Sequence, residues 1–437
     1  MEWWLVFLII FGGVVFLLGV GMSVAFAFFL INILGVLALQ GGGAAFNQMI
    51  FSIYSSVSSF TLLPVPLFVL MGEILWHSKI ASRSFDALDK LLGRLPGRLG
   101  LLTVFSGTIF SSLSGSTMAN TALLGSMLLP DMRKRGYSGD MSIGPILCSG
   151  ALAMIIPPSA LAVIFATIAK LSIGDLLIAL ILPGLLLAAL YTAYIIGRAS
   201  LDPAAAPSYD VASVPLSEKL IGLVKYVLPL SIIVFLVVGV IFVGVATPTE
   251  AAALGALGSF VLAWAYGGVS WGSMIEALKG TVRISVMMLT IMAAAITFSQ
   301  ILAFSGATRG LLQFVTDLPV APLVLVILMQ LVVLFLGCFM EQIAIMLITL
   351  PIFMPIVKSI GVDPIWFAVI TLINLEVALM TPPFGMLLFV IRGAAGDSVS
   401  MKTIYMSAVP FVAIDLLAIG IIIALPDIAL FLPTLSK

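Results

Sequence analysis

Charge is the scarcest feature of this sequence: only 9% of its 437 residues are Asp, Glu, Lys or Arg, and 19 basic residues balance 19 acidic ones. A neutral, charge-poor chain carries no electrostatic footprint for nucleic acid. Cysteine is nearly as scarce. Cys148 and Cys338 stand far apart, which excludes both a disulfide framework and the close ligand spacing of a zinc site and leaves them as packing residues. The single histidine, His77, follows Trp76 at the end of an apolar run, where it reads as interfacial rather than as a proton relay. There is no His-Glu-x-x-His and no Walker loop, so zinc proteolysis and ATP hydrolysis lack their groups. An intramembrane aspartyl protease needs two facing aspartates, and only Asp415 lies deep in an apolar run. No catalytic residue and no organic cofactor are expected, and the chain reads as something other than an enzyme.

What is abundant is hydrocarbon. At 62% hydrophobic residues and a mean hydropathy of +1.29, most of the surface must face lipid, and the chain reads as an all-α polytopic membrane protein. The N-terminus lacks the positive region of a cleaved signal peptide, so its first apolar run is expected to be a mature span. Spans of about 20 apolar residues fall near 3–21, 22–40, 60–78, 141–170 and 174–197, and again near 224–243, 249–266, 284–304, 365–391 and 404–424. A polar stretch from 198 to 217 separates the two series. Two further segments, 99–129 and 321–354, are too long for one helix and carry small or polar residues midway, as re-entrant hairpins do. The stretches 44–59 and 271–283 are mildly amphipathic and read as interfacial helices or as plain loops.

The two series are copies. At a constant spacing of 225 residues Pro130 matches Pro355, Gly136 matches Gly361, and Pro157-Pro158 matches Pro382-Pro383; Gly19-Val20 likewise falls on Gly244-Val245. Five crossings is an odd number, so the second copy is expected upside down relative to the first. The resulting division is 1–197 and 218–425 as inverted repeats, 198–217 as a cytoplasmic linker, and 426–437 as a C-terminal tail. With the N-terminus outside, 15 of the 19 basic residues lie on the inner face, leaving Lys170, Arg309, Lys358 and Lys437 outside.

Each copy pairs a hairpin tip with a proline-broken span. The prolines supply no N–H and push the preceding residues out of helical geometry, freeing carbonyls at membrane depth. At the first tip Ser114, Gly115, Ser116, Thr117 and Asn120 offer hydroxyls, a carboxamide and exposed backbone opposite the break at 151–158, which contains Ile155 and Pro157. At the second, Gly337–Gln342, which includes Met340 and Glu341, faces 378–383, with Ala378, Thr381 and Pro382. Unwound carbonyls suit a hard monovalent cation, while half-helix N-termini suit a carboxylate. Close helix packing is the competing reason for the same small residues. Substrate is expected between the tips, near Ser114, Ser116, Asn120, Thr381 and Glu341. Of the acids in apolar runs, Glu250 in Thr-Pro-Thr-Glu reads as a helix cap, Glu341 as the better functional candidate, and Glu376 as a counter-charge for a cation or a group touching water. Asp415 has no reading.

The segments SGSTMANTALLGSMLLPDMRKRGY, GALAMIIPPSALAVIF, GVATPTEAAALGA and LPIFMPIVKSIGVDPIWFAVITLINLEVALMTPPFGMLLFV resemble those of the large membrane subunit of tripartite ATP-independent periplasmic (TRAP) transporters, the DctM family. The likeness runs nearly end to end. It implies an elevator-type fold like that of the ion-transporter superfamily and sodium-driven import of organic acids such as C4-dicarboxylates or sialic acid. It also implies a multi-pass protein of the bacterial inner membrane, in which the count of basic residues puts the N-terminus on the periplasmic side. A small membrane (Q) subunit and a periplasmic substrate-binding (P) protein would be its partners. Sodium would sit at Ser114, Gly115, Ser116 and Thr117 with the first break, and at Gly337 and Met340 with Thr381 and Pro382. Where the family commonly has Asp at the second tip, this chain has Glu341. A stand-alone sodium/dicarboxylate carrier or a channel of similar architecture is the alternative.

Overall fold

The computed structural model describes residues 2–40, 43–78, 80–93, 95–114, 116–207, 215–382, 385–396 and 399–436, and among these every regular element is a helix. The first half runs α1 (Trp3–Gly19), α2 (Val24–Gln40), α3 (Gly43–Val57), α4 (Pro64–His77), α5 (Ile80–Leu92), hairpin arms α6 (Arg98–Ser114) and α7 (Thr117–Lys134), a broken pair α8 (Gly139–Ile155) and α9 (Ala160–Ala169), then α10 (Ile173–Ala179) and α11 (Ile181–Leu201). The second runs α12 (Leu216–Gly222), a π-helical stretch Leu223–Val227, α13 (Leu228–Phe242), α14 (Pro248–Ala265), α15 (Trp271–Phe304), α16 (Ala307–Thr316), arms α17 (Pro322–Gly337) and α18 (Gln342–Ser359), a pair α19 (Pro364–Leu379) and α20 (Met386–Ala395), α21 (Met401–Ala424) and α22 (Asp427–Leu435).

The spacing of 225 residues seen in the prolines is also the spacing of the elements. Adding it to the bounds of α7 gives those of α18, and adding it to the first residue of α8 gives the first of α19. The turn after each inner arm is made by the matched glycines, Gly136 at φ +81° and Gly361 at φ +72°, a left-handed conformation that closes a helix C-terminus cheaply only without a Cβ. Gly19 and Gly244 do not share this role: Gly244 has positive φ, but its counterpart in the first half is Gly21. At the first break α8 and α9 meet at 47°, and the Ser159 hydroxyl accepts from the Ala162 N–H to start the second piece.

Two departures from the sequence expectation have local causes. Residues 271–283 form neither a loop nor a separate interfacial helix; they are the first turns of α15, a helix of 34 residues. At 1.5 Å per residue it is about 51 Å long and exceeds a ~30 Å core. Its counterpart is cut into α3, a single 3₁₀ turn (Phe60–Leu62) and α4, because Pro64 and Pro66 interrupt the ladder while α15 contains no proline. Residues 44–59 are likewise mostly helix, in α3. The hairpin arms are also longer than the ten or so residues that half a membrane requires: 17, 18, 16 and 18, or about 24–27 Å each. Tips can meet inside the core only if such arms are inclined or their outer turns emerge, and the outer turn of α7 carries Asp131, Arg133 and Lys134.

Among the described residues six helices are long and apolar enough to cross a membrane, and the bent pair α8–α9 makes a seventh. The spans read near 3–21 and 22–40 appear as helices of 17 residues, and α18, expected as part of a re-entrant hairpin, passes the same test for a span. The stretch read as a tail folds into α22, which packs against α10, α11 and α19. Gly268-Val269-Ser270-Trp271-Gly272 matches the Gly-x-Ser-x-Gly nucleophile pattern, but Ser270 is the N-cap of α15, its hydroxyl accepting from the Ser273 N–H at 3.0 Å. Capping explains that serine.

Burial places the broken helices at the centre. Every residue of α8 from Met141 to Ile155 and of α19 from Trp366 to Leu379 is buried. By contrast α1, α2, α13 and α14 expose large apolar side chains such as Phe16, Phe26, Phe235 and Trp264. A helix apolar all round is stable either inside protein or against lipid, and both cases occur here. The outer pieces of the breaks cross over: α9 packs on α18, the hairpin arm of the other half, and α20 packs on α7.

Candidate site at the hairpin tips

The inner arm of each hairpin begins at equivalent residues, Thr117 and Gln342, preceded by the N-caps Ser116 and Glu341. Ser116 accepts from the Ala119 N–H at 3.3 Å, whereas Glu341 makes no capping bond with its side chain. Both arms point their first residue at one carboxyl. The Thr117 hydroxyl donates to Glu376 Oε1 at 3.0 Å, and the Gln342 carboxamide donates to the same oxygen at 3.1 Å. Glu376 belongs to α19, one turn before the second break, and is 1% exposed. Its Oε2 has no hydrogen-bond partner among the described residues. At that exposure bulk solvent does not reach it, which leaves the counter-charge role as the reading that fits its burial.

The first tip is bound to its own broken helix by Asn120, whose carboxamide donates to Ser111 Oγ at 2.8 Å and to the Ser149 carbonyl at 3.1 Å. Ser111 donates to that carbonyl too, at 3.1 Å. Asn120 Oδ1 and Thr121 Oγ1 are buried without partners among the described residues. Two glycines permit these approaches. A Cβ on Gly150 of α8 would lie 1.8 Å from Thr121 Oγ1, and one on Gly337 would lie 2.1 Å from Ala378 Cβ, so α7 reaches α8 and α17 reaches α19 only because both positions lack a side chain.

The remaining expected residues fall around this centre. Ile155 and Pro157 are buried at the first break, and Met340 is buried at the second tip. Ala378 is buried, and its carbonyl accepts from the Thr381 N–H at 3.2 Å. The Thr381 hydroxyl donates back to the Val377 carbonyl at 2.7 Å, and Cys338 Sγ donates to the Pro382 carbonyl at 3.5 Å, which seats the second tip on the second break. Glu341 is half-buried. Gly115 lies outside the described residues, as do Pro383 and Phe384; Ser114 ends α6, and only its backbone is described.

Sequence reasoning set Glu341 above Glu376 and passed over Gln342. The available signal was that Gln342 stands 225 residues after Thr117. Chemically the site combines hydroxyls, carboxamides, carbonyls at helix breaks and one buried carboxylate. No cluster of three or more His, Cys, Asp or Glu forms among the described residues. Such oxygen donors suit a hard monovalent cation rather than a transition metal.

The sequence profile of the family described as "Tripartite ATP-independent periplasmic transporter, DctM component" matches residues 11–428. The chain is 32% identical over 390 residues to the C4-dicarboxylate TRAP transporter large permease protein DctM of Pseudomonas aeruginosa, covering 89% of each. It is 31% identical over 428 residues to the sialic acid TRAP transporter large permease protein SiaM of Vibrio cholerae, covering 96% of each. Among solved structures, the YdaH transporter of Alcanivorax borkumensis superposes with a TM-score of 0.61 at 16% identity, over 88% of this chain and 90% of that one. MtrF of Neisseria gonorrhoeae gives 0.60 at 14%, over 91% and 85%. At such identities these two structures speak to the fold alone.

Proposed function

The chain belongs to the DctM family of tripartite ATP-independent periplasmic transporter components, and on that premise we propose that it is the sodium-coupled large permease of an organic-acid importer in a bacterial inner membrane. The observation that carries the reading is the convergence of Thr117 and Gln342 on the buried Glu376. Two half-helices thus begin at one point, and their N-terminal N–H groups favour an anion there. Burying an unpaired carboxylate at that depth costs several kcal/mol, so a cation travels with it. Ser116, the backbone at Thr117, whose hydroxyl is given to Glu376, and the 151–158 break would hold one sodium ion; Gly337, Met340, Ala378, Thr381 and Pro382 would hold another. Organic acids as a class fit the names of the relatives, which include C4-dicarboxylate, sialic acid and ectoine permeases.

The repeats at 225-residue spacing are read as inverted in the membrane, with the hairpins, breaks and final helices moving as a unit against a frame of α1–α4 and α13–α15. The seam between them is apolar: a crevice of about 670 Å³ lies between α13 and the first hairpin and break, lined by Ile109, Pro157, Leu185, Phe235 and Phe242 among others. The small membrane subunit is expected to cover the exposed apolar face of α1, α2, α13 and α14, and the binding protein to deliver substrate from the periplasm.

Uptake of succinate and of sialic acid into proteoliposomes, each with the binding protein encoded beside the permease, tests this. Uptake should need inward sodium, and Ser116→Ala and Thr381→Ala should each raise the half-saturating sodium concentration without altering subunit assembly. Unchanged uptake in sodium-free buffer would overturn the cation assignment. Uptake without any binding protein would favour a stand-alone carrier.

A further inference from the structure

Thr117 and Gln342 stand 225 residues apart, each the first residue of an inner arm, and both donate to the same oxygen of Glu376. The position equivalent to Glu376 in the first half is Ala151, so the molecule has one such carboxyl and not two. A side chain that receives equivalent donors from both halves stands where the halves meet. Among the described residues Glu376 has no other donor, no Lys or Arg pairs with it, and its second oxygen is unpartnered at 1% exposure.

In a buried, low-dielectric pocket each of these hydrogen bonds is strong, and neither can be given up without a substitute. If one tip withdraws, the substitute is water entering along the vacated path. A hydrated carboxyl no longer depends on the second donor, so the second tip is released more easily once the first has gone. The neighbours of the two donors are Ser116 and Glu341, within the loops assigned to cation and substrate binding. We propose that Glu376 is a positioning residue that ties the two hairpin tips together, so that the cation sites beside them assemble and disperse as one. This rests on the sodium-coupled reading above.

The test uses the permease co-purified with its membrane partner and reconstituted with its binding protein. Thr117→Val and Gln342→Leu should each raise half-saturating sodium roughly tenfold, and together by no more than about the same factor, because both cut one tie. In a Glu376→Ala background neither should shift it by more than about twofold. Multiplying effects, about a hundredfold in the double variant and undiminished in the Glu376→Ala background, would overturn the proposal. A second arm needs no sodium: spin labels at Ala119→Cys and Phe339→Cys, with Cys148 and Cys338 replaced by Ala, report the separation of the tips. The distribution should be narrow with Glu376, broad with Glu376→Ala and narrow again with Glu376→Gln, whose amide oxygen can accept both donors. A Glu376→Gln distribution as broad as that of Glu376→Ala sinks the tie. Should Glu376→Ala fail to fold, the Thr117/Gln342 cycle and the Glu376→Gln distances still decide. Should native uptake show no sodium dependence, the sodium reading fails, and the distance arm judges the tie by itself.

Discussion

The Tyr191 hydroxyl donates to Asp415 Oδ1 across the buried seam between α11 and α21, with both residues 1% exposed. The partners are 224 residues apart, one short of the repeat spacing, so the bond joins nearly equivalent points of the last long helix of each half. Phe411 packs on Tyr191 at 5.8 Å and edge-on to Tyr194 at 5.2 Å. The other carboxyl oxygen of Asp415 has no partner among the described residues. Tyr191→Phe strands the carboxyl altogether and should cost about 1–3 kcal/mol. Adding Asp415→Leu removes the stranded group, so the double variant should recover part of the loss. Thermal unfolding in detergent measures both; a Tyr191→Phe protein as stable as the parent rejects the argument.

Glycine substitutions should separate sharply by position. Gly150→Ala and Gly337→Ala place a Cβ 1.8 Å from Thr121 Oγ1 and 2.1 Å from Ala378 Cβ. Overpacking of that kind costs about 1–3 kcal/mol or more, and here it also pushes a hairpin off its broken helix, so transport should fall further than stability. Gly420→Ala, in the interior of α21 with nothing within 4 Å of the added carbon, should be neutral or gain up to about 1 kcal/mol. Equal effects at all three positions in unfolding and uptake assays count against the packing account.

Arg98, with its side chain 6% exposed, meets Asp89 Oδ2 at 2.7 Å and the Asp89 carbonyl at 2.9 Å, clamping amphipathic α5 to the start of the first hairpin. Burial pushes the Asp89 carboxyl above its ordinary range and the guanidinium pulls it back. Arg98→Leu should cost about 2–3 kcal/mol, less than a wholly buried pair because Asp89 is 37% exposed. Its carboxyl then binds a proton more tightly folded than unfolded, so the variant should lose further stability as pH rises from acid to neutral. The exposed Lys90–Glu218 pair is the control, and its removal should leave the unfolding temperature unchanged.

Orientation is tested by labelling. Single cysteines at the exposed positions Arg83 and Lys134 should react with an impermeant maleimide only from the cytoplasm, and those at Ser172 and Ser359 only from the periplasm. Reaction of all four from one side removes the inverted repeat and, with it, the opposed entry of the hairpins.

The breaks, the turns and the repeat were legible in the sequence because proline and glycine act on their own backbone. Pro157-Pro158 ends α8, and Gly136 and Gly361 close equivalent turns. Composition likewise sufficed for an all-helical membrane protein, since hydropathy is a sum over residues. The depth of the hairpin arms was not legible, because nothing in an apolar run says where a helix leaves the hydrocarbon. The centre of the site was decided only by tertiary structure. Thr117 and Glu376 are 259 residues apart, and an acid one turn before a proline break looks the same locally whether it faces water or two converging hairpins. A carboxyl is read from its partners, and in a membrane interior those partners are brought by packing.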